Sequence, residues 1–157
     1  EQYVTVLDRH PESRHAKFCA ESALFAAERL ADPEDGTIDV WEERVVDAVD
    51  LFVGLWPDDP KGVAMNYRAG YALLGAGSAE SATPYFVAVI SAAPESREAA
   101  FAADLLVGAW GEDAVGRATA AAAAAPAEGR VDVLEAFADA LEEAGRDDDA
   151  DAVRGAP

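Results

Sequence analysis

Three observations predict an all-α fold. Apolar residues recur three and four positions apart along nearly the whole chain, the spacing that loads one face of a helix. Alternating apolar and polar runs, the mark of half-buried strands, are scarce. Short separators rich in Gly, Pro, Asp and Ser punctuate the periodic segments. Composition agrees. Hydrophobic types make up 51% of the 157 residues, much of this alanine, while aromatics are only 8%, which suits closely spaced helices making many small contacts. The length suits one domain with a sizeable core.

The helices are read in chain order. A short one over 2–9 opens the chain, and a longer one follows over 14–31, containing "HAKFCAESALFAAERL". Cys19 sits in that amphipathic run and reads as a small core residue rather than a reactive thiol. As the only cysteine it can form no internal disulfide. "DPEDGT" precedes a helix over 38–56, "PDDPKG" one over 62–75, and "GAGSAES" one over 80–93. Pro84 lies inside that last helix, where it would break the hydrogen-bond ladder unless it sits in the first turn, in which case Thr83 is the N-cap. "APES" leads to 96–109, "WGED" to 112–125, "APAEG" to 129–144 and "AGRDD" to 147–154. The aspartates opening the final helix are favoured there by its dipole. No separator is long enough to be an interdomain linker, so a single domain over 1–157 is predicted.

The prolines reveal a repeat. Pro60 and Pro94 are 34 residues apart, and Pro126 follows 32 later. Twelve positions before each stands alanine (Ala48, Ala82, Ala114); eight before stand Phe52, Phe86 and Ala118; five before stand Leu55, Val89 and Ala121. Pro11 has the same tail, with Tyr3 eight before and Val6 five before. Pro11 to Pro60 spans 49 residues, and the excess around "ERLADPEDGTIDVWEERV" implies longer helices or a longer turn.

This pattern resembles the tetratricopeptide repeat, a family of helical hairpins about 34 residues long. "VAMNYRAGYALLGAGSAESATPYFVAVISAAP" fits the family frame through Gly70, Leu73, Gly77, Ala82, Phe86 and Pro94. "LEAFADALEEAGRDDDADAV" fits it through Leu134, Phe137, Ala138, Leu141, Gly145 and Ala150. The resemblance implies an αα-hairpin solenoid, a right-handed superhelix of about 3–4 repeats. Its parts are 1–12 (the tail of a partial repeat), 13–61 (an extended repeat), 62–95 (the best match), 96–127 (a short repeat) and 128–157 (the C-terminal repeat). Small residues such as Gly70 and Ala82 let paired helices approach, Phe86 fills the gap between hairpins, and proline ends the second helix. The truncated first repeat suggests a piece of a longer array.

Candidate chemistry is sparse. "GAGS" lacks the third glycine of the dinucleotide fingerprint, follows a helical rather than a strand pattern, and has no Gly-Lys-Ser/Thr ending, so it reads as a turn. Asp147, Asp149 and Asp151 match calcium-loop spacing but lack the glycine and the closing glutamate. His10 and His15 are five apart, off a common helical face, with nothing to complete a metal set. No catalytic residues, metal or cofactor are therefore expected. A net charge of −19, from 31 acidic and 12 basic residues, argues against nucleic acid and anionic membrane as partners. Only Lys17 and Lys61 are lysines, and this composition resembles proteins of salt-loving cells, although high-GC coding bias alone would also produce the alanine and arginine. With no long apolar span and no signal-like segment, a cytoplasmic protein is predicted.

In the family that this chain resembles, the first helix of each hairpin lines a concave groove. Register then implies a partner-binding face of Phe18, Phe25, Tyr67, Arg68, Tyr71, Leu74 and Phe101, with Asp132, Glu135, Asp139 and Glu142 making its C-terminal end acidic. Aromatics beside arginine are the types that carry binding energy at interfaces. The function expected is a non-enzymatic adaptor that binds an apolar and basic segment of another protein. The rival is a structural spacer or self-association domain of a longer protein.

Overall fold

The computed structural model describes residues 2–30 and 38–156, and every regular element among them is helical. Residues 31–37, the middle of the segment where the sequence places its extra length, lie outside the described residues. Two compact units divide the chain, Glu1–Met65 and Asn66–Pro157. Among the described residues no helix is long and apolar enough to cross a membrane.

The first unit comprises α1 (Gln2–Arg9), α2 (Ala16–Leu30), α3 (Ile38–Leu55) and the first turn of α4 (Lys61–Gly75). Helix α2 packs against both α1 and α3. Leu7, Ala16, Ala20, Leu24, Val45, Val49 and Phe52 are fully or almost fully buried there, and Cys19 is buried as its apolar setting predicts. The chain's two lysines tie α2 to the turn before α4: Lys17 donates to Asp59, and Lys61 pairs with Glu21. Asp59 also accepts the Lys61 backbone N–H at 2.9 Å. The Lys17 hydrogen bond, then that backbone bond, hold the Asp59 carboxyl below its usual range.

The second unit holds the rest of α4, then α5 (Ala79–Ala92), α6 (Arg97–Trp110), α7 (Ala114–Ala124), α8 (Arg130–Glu143) and α9 (Asp147–Arg154). Short 3-10 turns, Gly111–Asp113 and Ala127–Gly129, lead into α7 and α8. Helix α6 packs on α5, α7 and α8, while α8 packs on α7 and α9. Helix α7 also touches α5 and α9, and α5 reaches α8. That last contact skips two helices, α6 and α7. Helix α7 has only 11 residues, most of them alanine, and shields its neighbours poorly from each other.

Local chemistry explains the boundaries. At "GAGS" the Gly77 N–H bonds to Leu74 O at 2.9 Å and the Ser78 N–H to Leu73 O at 3.0 Å. This is a Schellman cap, and Gly77 supplies its left-handed residue at φ 87°. The motif is a turn, as its sequence indicates. Gly145 closes α8 in the same way, with Gly145 N–H bonded to Glu142 O and Arg146 N–H to Leu141 O, both at 2.8 Å.

Pro84 departs from expectation. Helix α5 begins at Ala79 after Ser78, which places Pro84 inside the helix and makes Thr83 an interior residue rather than the N-cap. The Thr83 hydroxyl instead donates to Ala79 O at 2.8 Å. Two alanines and a glutamate are good helix formers, so the helix starts as soon as the Gly77 turn allows.

The last helix is held by ion pairs. Arg154 of α9 meets Glu135 at 3.0 Å, Asp139 at 2.7 Å and also Glu142, all on α8. Arg146 bonds Asp149 at 2.7 Å and the Gly111 carbonyl at 2.6 Å. The Arg154 hydrogen bond holds the Glu142 carboxyl below its usual 4.5. A carboxyl depressed in the folded state stabilises above its unfolded pKa, and the gain vanishes as pH falls through the folded value. Arg154→Met is therefore expected to lower Tm at pH 7. The gap from wild type should close as pH falls from about 5 to about 3, checked by paired melting curves across that range.

Candidate functional site

The exposed aromatic face of the second unit is built on α4 and α6. Tyr67 and Tyr71 stand one helical turn apart on α4, their rings stacked at 6.4 Å and 23°. Tyr67 is half-buried because its ring meets the fully buried Phe86 edge-on at 5.8 Å. Tyr71 has no such cover and is 59% exposed. On α6, the Arg97 guanidinium lies 4.9 Å over the ring of Phe101, which is 42% exposed. Tyr67 is where the two helices meet electrically. Burial, then Tyr71 and Glu98, push its hydroxyl above the usual value of 10, while Arg97 opposes them. At neutral pH the phenol is a neutral donor.

Of the other residues predicted for this face, Arg68 is exposed and Leu74 half-buried on α4. Phe18 and Phe25 belong to the first unit. They stand seven residues apart on α2, on one helical face, at 65% and 53% exposure. Among the described residues, the exposed large apolar side chains are Phe18, Phe25, Leu55, Tyr71, Phe101 and Val131. Four of those six are residues that the repeat register assigns to partner binding.

The acidic end reads differently once α9 is in place. Glu135, Asp139 and Glu142 are all engaged by Arg154. A basic partner segment would have to displace an arginine of the chain itself. On α6, burial and then Glu143 raise the Asp104 carboxyl above its usual 3.8, so this rim takes up a proton more readily than an ordinary aspartate.

A second feature was not legible as a site. Between α5 and α7 runs a groove of about 760 Å³, lined by Pro84, Val87, Ala88 and Ser91 on one side and by Ala120, Ala121, Ala124 and Ala125 on the other. Trp110 and Gly129 also contribute to its walls. The cause lies in α7, whose sequence "AVGRATAAAAA" has almost nothing beyond Cβ to fill the space against α5. The alanine run was the available signal. No family model, curated protein or solved structure matches the chain.

Proposed function

We propose that this chain is a non-enzymatic interaction module of tetratricopeptide type, which holds an apolar segment of another protein against the first helices of its hairpins. The observation that carries this reading is the exposure of Tyr71 and Phe101 on the second unit; on the first unit, taken by itself, Phe18 and Phe25 are exposed likewise. Leaving one large apolar side chain in water is ordinary, but a pair of exposed aromatics within one unit, at positions that the repeat register expects to be open, favours a surface kept for contact on that unit. The packing of α6 on both α5 and α8, and of α7 on both α5 and α9, supports stacked hairpins. The strong acidic excess favours basic residues flanking the bound segment, through long-range attraction rather than through the α8 acids that Arg154 occupies.

Selection from a displayed random-peptide library tests this. A selected peptide is expected to lose roughly 30-fold or more in affinity on combined Tyr71→Ala and Phe101→Ala substitution, as for a hot-spot pair. Circular dichroism should stay unchanged, because both rings are largely outside the core. Val131→Ala, an exposed apolar residue on α8, serves as the control and should bind as wild type. Tyr67 is left intact because it also packs on Phe86. Peptides that bind the double variant as well as wild type, or a library yielding none, would refute the assignment.

A further inference from the structure

Acids outnumber bases 31 to 12 in this chain, so a basic side chain beside a carboxylate is the expected arrangement. Lys17, Lys61, Arg146 and Arg154 each pair with at least one acid. Among the described residues Arg97 pairs with none, and its guanidinium carbon instead lies 4.9 Å from the centre of the Phe101 ring. The residues three and four positions further along α6, where a helical ion-pair partner would stand, are Ala100 and Phe101. Glu98 follows Arg97 directly and so does not face it. A ring attracts a guanidinium through its charge, which leaves the N–H donors uncommitted.

Tyr67 on α4 supplies a second donor. Arg97 is near enough to act on its hydroxyl, and burial keeps the phenol protonated at neutral pH. Among the described residues no hydrogen bond engages that hydroxyl. A guanidinium can only donate and a phenol can do either, so the group that both can share is an acceptor. A carboxylate accepts two donors at once. Beside this spot, Tyr71 and Phe101 offer exposed rings. The net charge of −19 does not bar an acid here. Exposed charges are screened over about 8 Å at physiological ionic strength, while a carboxylate on Arg97 acts at hydrogen-bond distance.

We infer that the segment held on the α4/α6 face carries an aspartate or glutamate whose side-chain carboxylate accepts from the Arg97 guanidinium and the Tyr67 hydroxyl, next to an apolar residue that covers Tyr71 and Phe101. This rests on the reading of the aromatic face as a docking surface and names the chemistry of its partner.

Peptides selected from a displayed random library on the full chain are expected to share an acidic position beside an apolar one. One of them, amidated at its C-terminus, is then compared by fluorescence anisotropy with versions carrying glutamine or lysine at that position. The glutamine version should bind about tenfold more weakly, as loss of a charge-assisted hydrogen bond provides. Tyr67→Phe, which keeps the ring on Phe86, should reduce that factor to about threefold. Arg97→Gln should abolish it, and Arg97→Glu should make the lysine version the tightest ligand. Circular dichroism should stay unchanged, because Arg97 is exposed. Three results would overturn the inference alone, with binding still dependent on Tyr71 and Phe101: selected peptides with no shared acid, equal binding of the acidic and glutamine versions, or an undiminished factor in Arg97→Gln. Peptides indifferent to Tyr71 and Phe101, or a library yielding none, would overturn the docking surface as well.

Discussion

Truncation of Phe86 to alanine is expected to destabilise the second unit by about 3–5 kcal/mol, the range for a fully buried phenylalanine. The ring is completely enclosed, sits edge-on to Tyr67, and fills the space left by Gly70. A Cβ at Gly70 would lie 2.8 Å from two carbons of that ring, closer than side chains tolerate. Gly70→Ala therefore sets two effects against each other. Helix propensity favours alanine by about 1 kcal/mol, and overpacking opposes it by about 1–3 kcal/mol. The net effect should be destabilising in wild type and stabilising in the Phe86→Ala background, where the space is free. This reversal is the signature of direct coupling. Because the chain has two compact units, the readout is amide exchange of Ala82–Ile90 together with the urea midpoint. If Gly70→Ala stabilises the wild-type chain, the close approach of α4 and α5 is not as described.

Phe137→Ala should have an effect of similar size, about 3–5 kcal/mol, felt at the other end of the unit. Phe137 is fully buried on α8, its ring 5.1 Å from that of Trp110 at the end of α6. Loss of the ring opens a cavity between helices that carry the C-terminal packing. Faster exchange should appear in α8 and α9 first, with α5 affected less. Uniform acceleration over the whole second unit would mean that it unfolds as one block. Phe137→Leu keeps most of the volume and should recover more than half of the loss, which separates packing from any special role of the ring.

Much of the local structure was legible without coordinates. Periodicity and turn chemistry placed the ends of most helices within two residues, as with 147–154 against Asp147–Arg154 and 62–75 against Lys61–Gly75. The reason is that a Schellman turn at Gly77 or Gly145 is a property of a few consecutive residues. The burial of Phe86, Ala82, Phe137 and Ala138 likewise follows from helical phase. Thr83 and Pro84 were misplaced because their own preferences pointed to a helix start, while the turn upstream had already begun the helix at Ala79.

Long-range placement was not legible. Nothing near Arg154 in sequence indicates that it gathers Glu135, Asp139 and Glu142, and in a chain with 31 acids the choice of three depends on how α9 lies along α8. The groove beside α7 is likewise a deficit of volume, and a deficit exists only relative to the neighbour that fails to fill it. By itself the sequence determined that the chain is helical, where its helices begin and end, and which faces are apolar, since these depend on residues within a few positions of one another. Tertiary structure alone decided which acids are neutralised and which aromatics stay in water, because each is a relation between helices.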